Sequence, residues 1–253
     1  MLVTDSTSLI QFDIYRWLSA FILNTILVLI FFRIPLLTKR GWFHAGGLGT
    51  ILFGTLGLRA WISVLIYLLL GSLVTKLGFK KKAEQGIAES RGGKRGPENV
   101  WGSAATGTII ALLTQINFLN KELLLVGFAA SFIAKLADTF GSEIGKRWGS
   151  KTYLITSFRH VERGTDGGIS IEGSIATIIG ALVMSLVMVS IGYLPSLTLF
   201  LIAFISGITA TILESYLGAL VQANYMILTN EMVNFLQTTF AAILSILIAT
   251  LFL

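Results

Sequence analysis

The sequence of 253 residues has no cysteine, only three prolines and few charged residues. Without cysteine, the chain can form no disulfide, no thiolate metal site and no cysteine nucleophile. Charged residues make up 13% of the sequence and hydrophobic residues 54%, whereas soluble domains are about 25% charged. The mean hydropathy is +0.81. This composition predicts an integral membrane protein.

Acidic residues are too few to balance the basic ones, which leaves a net charge of +6. Such a charge suits nucleic-acid binding, but the basic residues lie in loops between apolar runs. The orientation of a membrane protein explains that placement better, so we expect no nucleic-acid partner. His44 and His160 have no companion ligands at metal-binding spacing, and a histidine metal site is therefore not expected.

Eight apolar runs are close to the length of about 20 residues that a helix needs to cross a membrane. We predict an all-α bundle of eight transmembrane helices, forming a single integral-membrane domain over 1–253. Seven is the alternative, because the second run is short and glycine-rich and would also suit half of a re-entrant pair with the third. The start of the chain lacks the features of a signal peptide, so no cleaved leader is expected. The predicted spans are 10–32, 42–57, 59–78, 100–118, 122–145, 170–192, 196–219 and 235–253.

The basic residues predict the orientation of these helices. Fifteen of the 19 lysines and arginines lie in or beside three loops, 33–40, 79–99 and 146–169. Two spans separate each loop from the next, so the positive-inside rule places all three in the cytoplasm, together with the loop 221–234. Polar segments on one face favour an enzyme that takes a soluble cosubstrate from the cytoplasm and a lipid from the bilayer.

The fifth span carries one polar stripe along an otherwise apolar helix. In AKLADTFGSEIGKRWG, residues 134–149, the stripe covers about 140° of the helix surface. One interpretation is a structural Lys–Asp pair at i, i+3. The other is a set of oxygen ligands for Mg²⁺ shared with phosphates. Gly141 and Gly145 would let another backbone or a ligand approach. The stripe consists of Lys135, Asp138, Thr139, Ser142, Glu143 and Lys146.

A glycine-rich turn, GTDGG at 164–168, precedes the sixth span. Such a turn can direct several backbone N–H groups at an anion, and the helix start adds the positive end of its dipole. The turn lacks the GK[ST] of a Walker A motif. Because basic and acidic residues meet here, we predict phosphate binding. The residues concerned are Arg159, Arg163, Asp166, Ser170 and Glu172.

Two further segments have equally balanced interpretations. Lys80, Lys81 and Lys82 are explained as a solvated basic loop attracted to anionic lipid, whereas RGGKRGPENVWGS, with Arg95 and Asn99, would suit a lid or a phosphate clamp. In ESYLGALVQANYMILTNEMVN, the polar side chains either cap helices and bond across the bundle or contribute to the site. These side chains are Glu214, Gln222, Asn230, Glu231 and Asn234.

Four ordered motifs, RGGKRGPENVWGSAATG, AKLADTFGSEIGK, RGTDGGISIEGS and ESYLGALVQ…LTNEMVN, resemble those of a known family. They resemble the phytyl-phosphate kinases of vitamin E and phylloquinone synthesis and their prokaryotic relatives, over residues 79–234. Plant members have a plastid transit extension and a proline at the position of Glu162. This sequence shows neither feature, and both differences imply a prokaryotic, cyanobacterial member.

The resemblance implies that CTP, or another nucleoside triphosphate, phosphorylates phytyl phosphate to phytyl diphosphate with Mg²⁺. The implied catalytic residues are Lys135, Asp138, Lys146 and Arg163. The implied metal residues are Asp138, Ser142, Glu143 and Glu172, of which Glu172 would support either the metal or the loop. Phosphate binding falls to Gly164, Thr165, Asp166, Gly167, Gly168, Ser170, Arg95 and Asn99.

Three alternatives to this activity stay open. A prenol kinase of the phytol or dolichol type, or a cytidylyltransferase, would use similar motifs. A lipid or ion transporter would use Lys135 and Asp138 as a relay. We expect the protein in a bacterial inner or thylakoid membrane, with the site on the cytoplasmic face. The sequence does not indicate an oligomeric state.

Overall fold

The computed structural model describes residues 13–222 and 229–253. Each of the eight predicted spans coincides with an α-helix in its described residues, and the described part contains one further short α-helix, α4, and a 3-10 segment, Ser90–Gly93. The helices are α1 (Ile14–Phe31), α2 (Lys39–Leu56), α3 (Leu58–Lys76), α4 (Phe79–Glu84), α5 (Pro97–Leu113), α6 (Lys121–Trp148), α7 (Ile171–Ser190), α8 (Leu197–Leu217) and α9 (Asn230–Ala249). A π-helical segment, Gly218–Gln222, continues α8.

Within the described residues, six helices are long and apolar enough to cross a membrane: α1, α3, α6, α7, α8 with its extension, and α9. The polytopic helical fold is therefore confirmed. The other two predicted spans, α2 and α5, are not among the helices that are long and apolar enough, for different reasons. α2 has 18 residues, as α1 does, but it begins with Lys39 and Arg40. α5 has 17 residues and turns buried hydroxyl groups inward.

Helix α6 occupies the centre of the bundle. Its residues 126–137 are buried throughout, because α3, α5, α7, α8 and α9 all pack around it. At 28 residues it is about 42 Å long at 1.5 Å per residue. A Cβ on Gly180 of α7 would lie 2.9 Å from the Leu136 carbonyl, so the two backbones are in close contact. The polar stripe of α6 continues from this core to one end of the bundle.

The three basic loops meet at that end. The N–H of Thr38 donates to the Arg95 carbonyl at 3.0 Å, and the N–H of Arg95 donates to Leu36 at 3.1 Å. Lys146 contacts Glu89, which joins the second loop to the third. At the opposite end, Gln115 donates to the Thr55 carbonyl. The polar segments thus share one end of the molecule, as their common orientation predicted.

A small sheet within the third basic loop was not predicted. Three short strands, β1 (Thr152–Leu154), β2 (His160–Val161) and β3 (Gly168–Ile169), pair antiparallel in the order β2-β1-β3. Tyr153 pairs with His160 on one side and with Ile169 on the other. The sheet ties the glycine-rich turn to the rest of the loop. It therefore fixes where this turn lies relative to the end of α6.

The 79–99 segment is only partly a loop. Its first six residues form α4, which packs on α6. Lys80 and Lys81 are exposed as expected, but the Lys82 side chain is 0% exposed, so the interpretation as a solvated residue is wrong for Lys82. The segment 221–234 was predicted as a loop. Its residues 223–228, and the side chain of Gln222, lie outside the described part.

Candidate functional site

A polar cavity of about 220 Å³ lies at the end of the bundle where the basic loops meet. Residues of α3, α5, α6, α7, α8 and α9 line it together with the two long loops. It brings together most of the predicted site residues from separate parts of the chain. These are Arg95, Asn99, Lys135, Asp138, Ser142, Glu143, Lys146, Gly164, Thr165, Asp166, Gly167, Gly168 and Ser170. Arg163 and Glu172 do not line it.

Lys135 and Asp138 face this cavity as an ion pair. The Lys135 Nζ lies 2.5 Å from the Asp138 Oδ2 and 2.8 Å from the Asn234 Oδ1. The Oδ1 of Asp138 forms no hydrogen bond with the described residues. The ammonium group therefore holds one carboxylate oxygen in place and leaves the other open to the cavity.

Glu143 lies about one and a half turns beyond Asp138 along α6 and has a different partner. Its Oε2 accepts from the buried Lys82 Nζ, which also donates to the Thr75 carbonyl at 2.8 Å. Both side chains of this pair are almost fully buried. An unpaired buried charge is costly, so each group stabilises the other and fixes α4 against α6. The prediction that Glu143 binds Mg²⁺ stays a prediction, and this pairing argues for a structural role.

Lys146 continues the stripe to the end of α6 and pairs with Glu89, at 3.1 Å. Burial is the largest single effect and opposes the ionisation of Glu89, but the charge and hydrogen bond of Lys146 and the charges of Lys135 and Arg95 together outweigh it, so the pKa of Glu89 is lowered from its usual value. Glu89 is therefore ionised at neutral pH. Lys146 remains partly exposed to the cavity, where it can contact a bound anion.

The glycine-rich turn closes one side of the cavity. Gly164 and Gly167 have φ values of +83° and +73°, which glycine adopts without strain. The N–H groups of Gly164, Asp166 and Gly167 form no hydrogen bond with the described chain, and all three residues line the cavity. A Cβ on Gly167 would lie 2.6 Å from the Ser215 carbonyl. Gly167 is thus also required for packing against α8.

The start of α7 follows this turn. Ser170 caps the helix by accepting from the N–H of Gly173 at 3.1 Å, so its hydroxyl is used by the backbone. Glu172 accepts from the N–H of Ser150 at 3.0 Å. That bond suits the loop-supporting role which the family resemblance allowed for Glu172. Arg163 is exposed on the surface of the turn.

Arg95 and Asn99 lie opposite this turn, at the start of α5. Asn99 accepts from the N–H of Gly96 at 2.9 Å and from Arg91 at 2.8 Å. It also donates to Glu231 at 3.0 Å, which joins α5 to α9. Asn99 is therefore mainly a structural link. Arg95 donates to the Tyr67 hydroxyl at 2.5 Å and keeps further N–H groups for a ligand.

Glu214 is one of the polar residues for which the sequence left two interpretations, a contact within the bundle or a role in the site. It lines the cavity and interacts electrostatically with Asp138, Asp166, Lys135 and Lys146. Its carboxylate forms no hydrogen bond with the described residues. The signal in the sequence was a glutamate inside an apolar span, which is costly unless it serves a site.

These acidic groups suit a magnesium ion that is also bound by substrate phosphates better than one bound by protein side chains alone. No three His, Cys, Asp or Glu side chains of the described residues are grouped closely enough to form a metal cage. Mg²⁺, however, is usually bound through one or two carboxylates together with substrate phosphates. Asp138 and Glu214 face the same cavity with unbonded oxygens, and this donor set suits such a shared ion.

The comparisons with known proteins agree with this architecture. The family model "Integral membrane protein DUF92" matches residues 22–242. The chain belongs to this family.

Three relatives show how widely the family is distributed. A membrane protein of Synechocystis sp. is 42% identical over 235 residues, covering 92% of this chain and 91% of the relative. Protein VTE6, chloroplastic, of Arabidopsis thaliana is 34% identical over 253 residues, covering 97% and 75%. A membrane protein of Methanocaldococcus jannaschii is 33% identical over 214 residues, covering 84% and 85%. No solved structure matches significantly. The DUF92 protein is thus an integral, multi-pass membrane protein of VTE6-like type, and the Synechocystis relative supports the predicted cyanobacterial affiliation.

Proposed function

We propose that this DUF92 protein is a membrane prenyl-phosphate kinase that transfers the γ-phosphoryl group of CTP, or another nucleoside triphosphate, to phytyl phosphate. The product is phytyl diphosphate. The observation that carries the proposal is the polar cavity, where Lys135, Lys146 and Arg95 face the carboxylate of Asp138 and the backbone of the glycine-rich turn. The relationship to VTE6 and the four motifs support it.

The charges of the cavity suit a reaction between two phosphate groups. A bond forms between an oxygen of the prenyl phosphate and the γ-phosphorus, and the bond from that phosphorus to the β–γ bridging oxygen breaks. The nucleoside diphosphate then leaves. Because the attacking oxygen is already anionic, no strong general base is required, and positioning and charge neutralisation provide most of the catalysis.

The chain's residues would divide this work between them. The N–H groups of the turn at 164–168 and the start of α7 receive the nucleotide phosphates. Lys146 neutralises charge near the transferred group, and Arg95 binds the phosphate of the lipid. Lys135 positions Asp138. A magnesium ion, held by Asp138 and Glu214 together with phosphate oxygens, would supply further charge neutralisation when bound.

The position of the cavity suits two substrates of different solubility. It lies at one end of the bundle, next to exposed apolar helix surfaces, so a lipid phosphate can enter from the bilayer while a nucleotide enters from water. With the basic loops on the cytoplasmic side, the nucleotide comes from the cytoplasm. We propose the bacterial inner or thylakoid membrane as its location, because the motifs and the Synechocystis relative point to a cyanobacterial member.

The experiment uses purified protein with Mg²⁺ and either phytyl phosphate, geranylgeranyl phosphate or phytol. Each is combined with CTP or ATP carrying a label on the α- or the γ-phosphate, and products are identified by mass spectrometry. We expect γ-label in phytyl diphosphate. Label from the α-phosphate would indicate a cytidylyltransferase, and phosphorylation of phytol alone a prenol kinase. Absence of nucleotide binding and transfer would reject the proposal and favour a transporter.

A further inference from the structure

A second cavity, of about 350 Å³, lies beside the polar one and is almost entirely apolar. It is enclosed by α1, α2, α3 and α5, and its wall consists mainly of leucine, valine and aromatic side chains. Its volume falls in the range of about 300–1,000 Å³ that is usual for small-molecule sites. Of the residues predicted to bind phosphate, only Arg95 and Asn99 line this cavity, and both lie at one end of it.

The two cavities adjoin at that end. Arg95, Asn99 and Ser103 line both of them. The Arg95 guanidinium lies 5.2 Å from the centre of the Tyr67 ring, measured from its Cζ. A Cβ on Gly71 would lie 2.5 Å from the Arg95 Nη2, so the missing side chain makes room for the guanidinium. A fixed positive charge therefore marks the junction between an apolar and a polar cavity.

The far end of the apolar cavity is closed by two side chains. Trp61 donates to the Asn24 Oδ1 at 3.0 Å, and both residues line the cavity. Trp61 precedes Tyr67 by six residues of α3, which corresponds to about 9 Å along the helix. Near the junction, Phe31, Ile34 and Leu69 line the cavity and are exposed on the surface that would face lipid.

We propose that this apolar cavity binds the hydrocarbon chain of an isoprenoid monophosphate, with Arg95 contacting its phosphate at the junction. The proposal rests on the function proposed above and adds the position of the lipid substrate. An amphiphile with an anionic head matches the charge at the junction and the apolar wall beyond it. Entry past Leu69 brings the chain in from the bilayer without exposing it to water. Trp61 and Asn24 limit how far the chain reaches.

The test compares two matched substitutions. Val64→Trp fills the apolar cavity, whereas Val189→Trp adds the same bulk to an exposed position on α7 that lines neither cavity. Equilibrium binding of radiolabelled phytyl phosphate and of five-carbon dimethylallyl phosphate is measured with each variant, together with CTP binding and thermal unfolding.

We expect Val64→Trp to weaken phytyl phosphate binding about tenfold or more, equivalent to about 1.4 kcal/mol. Its binding of dimethylallyl phosphate and CTP should match that of the unmodified protein, and Val189→Trp should change none of the three. Trp61→Ala should in addition shift the preference toward longer prenyl chains. Equal phytyl phosphate affinity in Val64→Trp and Val189→Trp, with both folded, would overturn the cavity proposal.

This experiment distinguishes failure of the cavity proposal from failure of the kinase proposal. If the unmodified protein binds phytyl phosphate and loses it in Val64→Trp, but transfers no phosphoryl group, the cavity proposal stands and the kinase proposal falls. If transfer occurs and both variants bind equally, the kinase proposal stands and the cavity proposal falls. If the unmodified protein does not bind phytyl phosphate, the cavity proposal is rejected.

Discussion

Two lysine–carboxylate pairs lie on the same side of α6, and they differ in what surrounds them. The pair of Lys82 and Glu143 is closed, because its side chains are 0% and 3% exposed and the Thr75 carbonyl accepts a further bond from the ammonium group. The pair of Lys135 and Asp138 opens on the polar cavity, with side chains 7% and 13% exposed. One pair therefore suits a structural role and the other a catalytic one.

The difference lies in burial and in the helix that supplies the lysine rather than in the residue types. In the closed pair the lysine comes from α4, so the pair joins α4 to α6, and the Glu143 carboxylate is only 3% exposed at the edge of the polar cavity. In the open pair both side chains belong to α6 and are more exposed, and the Oδ1 of Asp138 forms no hydrogen bond with the described residues. The closed pair should respond to mutation through stability, and the open pair through activity.

The largest expected effect comes from breaking the closed pair. Lys82→Met leaves Glu143 buried without a partner, which should lower the free energy of unfolding by about 3–5 kcal/mol. Chemical denaturation in detergent measures this loss. Adding Glu143→Leu removes the stranded charge and should restore most of the stability. A double variant no more stable than Lys82→Met would contradict the structural role.

Asp138→Asn should cost less stability than Lys82→Met, because the amide oxygen and Asn234 can still accept from Lys135, but it should lower kcat by about 10²–10³, as loss of one preorganised electrostatic contact does elsewhere. The amide keeps the shape of the side chain and loses the negative charge that would hold the magnesium ion. Steady-state kinetics and thermal unfolding are measured on the same preparation. Normal turnover in Asp138→Asn would reduce Asp138 to a structural partner of Lys135.

Lys146→Ala should have a smaller effect, about tenfold weaker nucleotide binding, because one charged hydrogen bond contributes roughly 1.5–3 kcal/mol. The loss should diminish at high ionic strength, since Lys146 is partly open to solvent. Lys151→Ala, on the exposed loop after α6, is the matched control and should bind nucleotide normally. Equal losses in both variants would indicate a general charge effect rather than a contact.

The smallest expected effect concerns pH. Because the pKa of Glu89 is lowered in the folded protein, its pair with Lys146 stabilises the fold above the usual pKa of glutamate. This stabilisation is lost as the pH falls through the lowered value. Unfolding measured across the acidic range should therefore show a slightly shallower pH dependence in Glu89→Gln. An unchanged profile would show that the pair adds nothing to stability.

Helical periodicity was enough to predict much of the open pair. The stripe of α6, its i, i+3 contact between Lys135 and Asp138, and its position near the glycine-rich turn all follow from local spacing and span order. The eight helices follow from apolar runs, although hydropathy alone does not settle how α2 and α5 lie in the membrane.

The closed pair could not be predicted in this way. Lys82 and Glu143 are 61 residues apart, and periodicity tells which face a residue occupies but not which helix covers it. Lys82 also follows Lys80 and Lys81, so the sequence pattern indicates solvent. The small sheet was missed for a similar reason, because its strands have only two or three residues. The sequence shows Glu214 as a charged residue inside an apolar span, but it does not show which residues surround it.

The most direct test of the account measures phytyl diphosphate formation by three purified proteins under identical conditions with CTP and Mg²⁺. These are the unmodified chain, Asp138→Asn, and the double variant Lys82→Met with Glu143→Leu. The account predicts product from the unmodified chain and from the double variant, and little or none from Asp138→Asn. Loss of product in a stably folded double variant, together with retained product in Asp138→Asn, would contradict the assignment of the two pairs. No product from the unmodified chain would contradict the kinase itself.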